Sequence, residues 1–131
     1  MELLHKEISE QILAAFYEVQ QELGHGFLER VYQNAMYVEL KTIRGLDVIA
    51  QPKVKVSYKG YQVGDYLPDL IVENKVILEL KSAVSLQHDN ELQLLNYLKA
   101  TPYELGFLLN FGKRGEFKRM IYTNENKNLK K

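Results

Sequence analysis

The sequence predicts an α/β fold: a mixed β-sheet flanked by helices, in the order ααβββαβ(β). Three observations predict it. Up to Gly45, apolar residues recur every three or four positions, the period of amphipathic helices. Between residues 53 and 81 the period falls to two and turn residues interrupt it. One further helical segment then leads into a wholly apolar strand, which requires a helical crossover in the sheet.

Taken in order, Leu4, Ile8, Ile12, Ala15, Phe16, Val19 and Leu23 line one face of a first helix, which Gly24-His25-Gly26 stops. A second helix spans roughly residues 27–44, with Leu28, Val31, Tyr32, Ala35, Met36, Leu40 and Ile43 inward, and Gly45 ends it. Val54, Val56 and Tyr58 alternate with Lys53, Lys55, Ser57 and Lys59 as a half-exposed strand. Lys59-Gly60 is a hairpin turn into Tyr61-Gln62-Val63. Pro68 separates this hairpin from a strand at residues 69–73, and a turn at Asn74-Lys75 leads into another at Val76–Lys81. These strands form an antiparallel meander. The helical period returns from about Leu86 with Leu92, Leu95, Tyr97 and Leu98, ending before Pro102. Leu105–Phe111 is the strand after the crossover, residues 117–122 form a short edge strand, and residues 124–131 are a frayed basic tail. Residues 1–123 are a single domain.

At 131 residues and 46% apolar, the chain can bury a substantial core. It has no cysteine, which excludes disulfides, thiolate metal sites and a cysteine nucleophile and fits a reducing cytoplasm. The start lacks the basic and apolar regions of a signal peptide, and no segment is long enough to span a membrane. Net charge is zero but unevenly distributed: residues 1–110 carry −5 and residues 111–131 carry +5. A basic edge on an acidic body can hold a polyanion; a solvated tail is the plainer alternative.

The chemistry concentrates at Pro68-Asp69 and Glu79-Leu80-Lys81. Carboxylates at the ends of apolar strands are costly unless something binds them. Residues two apart on a strand share a face, so Glu79 and Lys81 project together. Asp69 and Glu79 are a ligand pair for a hard divalent cation such as Mg²⁺, with Mn²⁺ as a substitute and the Leu80 backbone carbonyl as a third oxygen. Lys81 would steady an attacking water and neutralise charge on a phosphate. A surface ion pair is the alternative. Glu29, in the first turn of the second helix, is either a favourable helix-dipole charge or a third carboxylate reaching the cation through water. Gln93 and Tyr97, four apart on the last helix, can bond a phosphate, a base or a neighbouring catalytic group; a plain helix edge with Tyr97 half-buried is the alternative. The three histidines have no metal-ligand spacing.

A shared cation requires Asp69 and Glu79 on one face of the sheet. A two-residue turn at Asn74-Lys75 would pair Asp69 with Leu80 and put the carboxylates on opposite faces. A three-residue loop, Glu73-Asn74-Lys75, pairs Val72 with Val76 and Asp69 with Glu79. The expectation is this loop or an equivalent bulge, with Asn74 or Lys75 left-handed.

Gly26-Phe27-Leu28-Glu29-Arg30-Val31-Tyr32 resembles the signature of the bacterial GxxExxY proteins, a branch of the PD-(D/E)xK nuclease superfamily. The resemblance continues through Tyr66-Leu67-Pro68-Asp69-Leu70, the Val76–Lys81 segment, Gln93-Leu94-Leu95-Asn96-Tyr97-Leu98 and Gly106-Phe107-Leu108-Leu109-Asn110-Phe111-Gly112. It implies a restriction-endonuclease-like core. It also implies that Asp69 and Glu79 are metal ligands, Lys81 the catalytic lysine, Glu29 the helix carboxylate, and Gln93 and Tyr97 the Q-x-x-x-Y helix motif of RecB-like members. The expected function is Mg²⁺-dependent hydrolysis of DNA or RNA by a cation-activated water. A non-catalytic nucleic-acid-binding or assembly module and a hydrolase of a small phosphorylated molecule are the rival readings. A homodimer is the expected means of gripping both strands of a duplex.

Overall fold

The computed structural model describes residues 3–127. Helix α1 (Lys6–Leu23) buries Ile12, Ala15, Phe16 and Val19, the stripe its periodicity predicts. It ends at Gly24, whose positive φ of 70° suits glycine. Helix α2 (Glu29–Tyr37) continues into a π-helical stretch, Val38–Ile43, which Gly45 follows at φ 75°. Tyr32, Met36 and Leu40 form its buried i, i+4 line. Leu28, Val31 and Ile43, expected inward, are exposed. Leu28 precedes the first helical turn, and the wider π turn rotates Ile43 off the buried line.

Five strands form the main sheet, in the order β1 (Val48–Ala50), β4 (Leu70–Val72), β5 (Val76–Lys81), β6 (Leu105–Phe111) and β7 (Gly115–Ile121). All neighbours are antiparallel except β5 and β6, which are parallel and joined through helix α3 (His88–Ala100). The mixed sheet, its crossover and its last strand match a restriction-endonuclease-like core. Two departures concern the first strands. β1 is too short to show a period. The hairpin β2 (Val54–Tyr58) and β3 (Tyr61–Tyr66) is not part of the meander but a separate two-stranded ribbon. β1 and β5 occupy both sides of β4, so the ribbon packs Val54, Val56 and Tyr66 toward α3 instead.

The sheet separates two apolar layers. Leu70, Val72, Val76, Leu78, Leu80, Phe107, Leu109 and Phe111 face the stripes of α1 and α2. Ile71, Ile77 and Leu108 face α3 and the ribbon. Both faces of the central strands are covered, so β5 and β6 read as apolar runs. On α3 the buried pair is Leu94 and Leu98; Leu92, expected inward, is 45% exposed. Gly106 makes the close approach of α3 possible, since a Cβ there would lie 3.1 Å from Leu94.

Residues 124–127, expected to fray, are tied down. Asn124–Asn126 forms a 3₁₀ turn, and Lys127 Nζ donates to the carbonyls of Thr101 (2.8 Å) and Tyr103 (2.6 Å). The remainder of the expected tail lies outside the described residues. Among the described residues no helix is long and apolar enough to cross a membrane.

Candidate active site

The β4–β5 connection sets the site. Val72 pairs with Val76, Ile71 with Ile77 and Leu70 with Leu78. The connection is therefore the three-residue loop Glu73-Asn74-Lys75, and continuing the register places Asp69 opposite Glu79. Lys75 N–H donates to Val72 O (3.0 Å) to close the turn. Glu73 and Asn74 both take positive φ, 55° and 52°, so the left-handed pair includes Glu73 and leaves out Lys75. Both side chains have partners there: Glu73 accepts from Asp47 N–H (2.7 Å) and Asn74 from the Tyr103 hydroxyl (2.9 Å). Asp69, Glu79 and Lys81 consequently share the α3 face with Ile71 and Ile77.

Both carboxylates are held by protein donors. Asp69 Oδ2 accepts from Leu80 N–H (2.7 Å), and Glu79 Oε2 accepts from the Tyr66 hydroxyl. The Asp69 N–H also acts on the Glu79 carboxylate as a backbone donor, while Asp69 Oδ1 has no protein donor among the described residues. Tyr66, at the base of the ribbon, is buried and stacks on Tyr97 of α3, with ring centroids 3.7 Å apart and 5° between planes.

Burial pushes the Asp69 carboxyl above its ordinary range; the Glu29 charge acts the same way, while the Leu80 N–H and Lys81 oppose it. Burial, then the Asp69 charge, pushes Glu79 up to about 7 against the Tyr66 hydrogen bond, Lys81 and the Asp69 N–H. Burial and the Glu79 charge raise Tyr66 far above a normal phenol, so it stays a donor. Lys81 is half-buried beside both carboxylates, yet among the described residues no Lys81 ion pair closes to 4.0 Å. The site thus holds two buried like charges with incomplete neutralisation.

Glu29 is exposed at the start of α2 and acts on Asp69 through its charge. It is brought near by Ser82, after β5, whose hydroxyl donates to Phe27 O (2.8 Å). Among the described residues no three His, Cys, Asp or Glu side chains group closely enough to hold a metal ion. Glu29 therefore does not complete a three-carboxylate cluster. Tyr32, one turn further on, is fully buried. Its hydroxyl donates to Gly24 O (2.6 Å) and accepts from Phe27 N–H (3.3 Å), and its ring stacks on Phe111. It clamps the loop that places Glu29.

Tyr97 joins the site through Tyr66. Gln93 does not reach the carboxylates: it is exposed and lines a shallow depression with Asp89, Leu92, Asn96 and Tyr97. Of the basic C-terminal residues, Lys127 is committed to two carbonyls and Arg119 donates to Leu4 O (3.4 Å). Lys113 and Arg114, in the β6–β7 turn, are exposed. Lys81 pairs with Asn110 in the parallel register, so this turn lies at the same end of the sheet as the carboxylates.

A sequence model of the PD-(D/E)XK nuclease superfamily matches residues 6–120. The chain belongs to the PD-(D/E)XK nuclease superfamily. No curated protein and no solved structure matches it. The superfamily match takes in every candidate residue, from Glu29 to Tyr97.

Tyr66 was not singled out by sequence reasoning. Its signal was available: a buried tyrosine hydroxyl needs a partner. Tyr66 alone is buried on a strand whose other five residues are exposed.

Proposed function

We propose that this protein is a Mg²⁺-dependent nuclease of the GxxExxY branch, acting on DNA or RNA in the cytoplasm. One observation carries the reading: Asp69 and Glu79 stand opposed on one sheet face, half-buried and held by protein donors, with no ion pair to either among the described residues. Two half-buried carboxylates whose proton affinity is raised first by burial and then by neighbouring carboxylate charge are a donor set suited to a hard divalent cation. When bound, the cation would supply Lewis acidity and make water nucleophilic near neutral pH.

Asp69 and Glu79 would hold the cation. The Leu80 N–H points toward Asp69, and in an extended strand a residue's carbonyl points to the same edge as its N–H. The Leu80 carbonyl is thus a third oxygen on that side. Lys81 orients the attacking water and neutralises charge developing on the phosphate. Glu29 contributes through a water. Tyr97 positions Tyr66, and Gln93 contacts substrate from the exposed side of α3. Two copies together would grip a duplex.

Labelled single- and double-stranded DNA and RNA incubated with Mg²⁺ or Mn²⁺ provide the test. Metal-dependent cleavage that Asp69→Asn and Lys81→Ala abolish is expected. Nucleic-acid binding without cleavage by the wild type would favour the non-catalytic binding module.

A further inference from the structure

The β2–β3 ribbon has no place in the main sheet and little support from the rest of the chain. A two-stranded hairpin alone is marginal in water. This one is anchored along one side by Val54, Val56 and Tyr66 against α3. Beyond that anchor it stands in solvent: five of six β3 residues are exposed, including Tyr61 (75%) and Val63 (62%). Its charge is equally distinct. From Lys53 to Tyr66 there are three lysines, Lys53, Lys55 and Lys59, against one carboxylate, Asp65, a net of +2 within a 1–110 segment of net charge −5; Asp65 stands opposite Lys55 and accepts from the Gln62 amide. All three lysines are exposed. At the tip, Tyr58 pairs with Tyr61, both rings are exposed, and Lys59 Nζ lies 5.3 Å from the Tyr58 ring centroid.

We propose that this ribbon is an arm that grips the nucleic acid on which the carboxylate site acts; the inference rests on the nuclease reading. A basic, aromatic-tipped surface matches phosphates and base or sugar faces. A two-stranded ribbon is also an element that the major groove of a duplex admits. Position supports the match, because the ribbon's base is Tyr66, whose hydroxyl holds Glu79. The tip lies four residues along β2 from the base pair Val54–Tyr66, about 14 Å at strand rise. A strand of nucleic acid crossing the carboxylates therefore meets the arm within a few phosphates. The exposed Lys113-Arg114 turn stands at the same end of the sheet, across β5 and β6 from the ribbon.

The test compares Lys55→Glu/Lys59→Glu with a charge-matched control, Lys6→Glu/Lys41→Glu, on the helices of the opposite layer. Binding of fluorescent DNA and RNA oligonucleotides, single- and double-stranded, is measured against salt in Ca²⁺. The ribbon variant should bind ~10-fold or more weakly, with a salt slope smaller by about 2, while the control matches wild type. Its thermal unfolding and its Mn²⁺-dependent hydrolysis of bis(p-nitrophenyl) phosphate, which needs the carboxylates but no arm, should stay unchanged. If the reversed charges disturb the fold, Lys55→Gln/Lys59→Gln replaces them, with the same slope change expected. Unchanged affinity in the ribbon variant, or equal loss in the control, overturns the arm and leaves the nuclease reading standing. Wild type that binds no oligonucleotide overturns both.

Discussion

The Tyr66 hydroxyl donates to the Glu79 carboxylate, and the Tyr66 ring lies flat against Tyr97 of α3. One side chain thus connects three elements: the ribbon, the central strand β5 and the crossover helix. It fixes one oxygen of Glu79, Oε2. The Tyr97 stack fixes the ring in turn, which gives the tyrosine of the Q-x-x-x-Y pattern a role at one remove from the carboxylates.

Tyr66→Phe should keep the stack and lose the clamp. Partners that orient a metal-ligating carboxylate typically carry 10–100-fold in affinity or activity. A drop of about that size in Mn²⁺ affinity, measured by calorimetry, is expected with little change in unfolding temperature. The hydrogen bond lowers the Glu79 pKa, so the pH at which cation binding is half-maximal should move upward in the variant. An unchanged pH profile would mean that Tyr66 only fills space.

Substitutions at Asp69 should separate chemistry from folding. Asp69→Asn keeps an acceptor for Leu80 N–H and removes a charge from a half-buried site. It should abolish cleavage while leaving stability equal or higher. Asp69→Ala should abolish cleavage too, but it orphans the Leu80 N–H, at a cost of about 1–3 kcal/mol. Denaturant unfolding of the two variants in EDTA measures the difference.

The sequence displayed the helical stripes, the crossover and the carboxylate register because each is a periodic or parity constraint. Requiring Asp69 and Glu79 to share a face was enough to choose the three-residue loop over a two-residue turn. What escaped it has physical causes. β1 has three residues, too few for a period. The detachment of the β2–β3 ribbon depends on competition for the edge of β4, which no local pattern encodes. On α3, leucines on several sides (Leu92, Leu94, Leu95, Leu98) blur the phase, and Gly106 decides it by admitting Leu94. The Glu79 clamp joins residues 13 apart across two different sheets, so neither helix nor strand spacing reveals it.

The segment after Lys81 should be as sensitive as the site. Asn110 is fully buried; its Oδ1 accepts from Ala83 N–H (2.9 Å) and its Nδ2 donates to Ala83 O (3.0 Å). Gly112 leaves room for the same segment, since a Cβ there would sit 2.6 Å from Ala83 O. Gly112→Ala must displace backbone, so a loss of about 1–3 kcal/mol in denaturant unfolding is expected. Faster amide exchange over residues 82–86 should accompany it. Normal exchange there would show that the loop has slack the contacts do not suggest.

Burial, then the Asp69 charge, pushes Glu79 up to about 7, against 4.5 for an ordinary glutamate. The folded state therefore binds this proton more tightly than the unfolded chain. By linkage, the group's contribution is fully present below pH 4.5 and is lost as pH rises through about 7, to a total of about 3 kcal/mol. Asp69, also raised, acts with the same sign. His5, whose pKa burial lowers, acts with the opposite sign in part of this window, so wild type alone is ambiguous. The difference between wild type and Glu79→Gln isolates the effect, because glutamine still accepts from Tyr66 but cannot ionise. In EDTA, Glu79→Gln should gain stability over wild type steadily from pH 5 to 8. With Mn²⁺ present the order should reverse at pH 8, because the ionised carboxylate then has its counter-ion. A wild-type minus variant difference that stays flat with pH in EDTA would show that Glu79 is already charged at pH 5, and that the site is far better solvated than its burial implies.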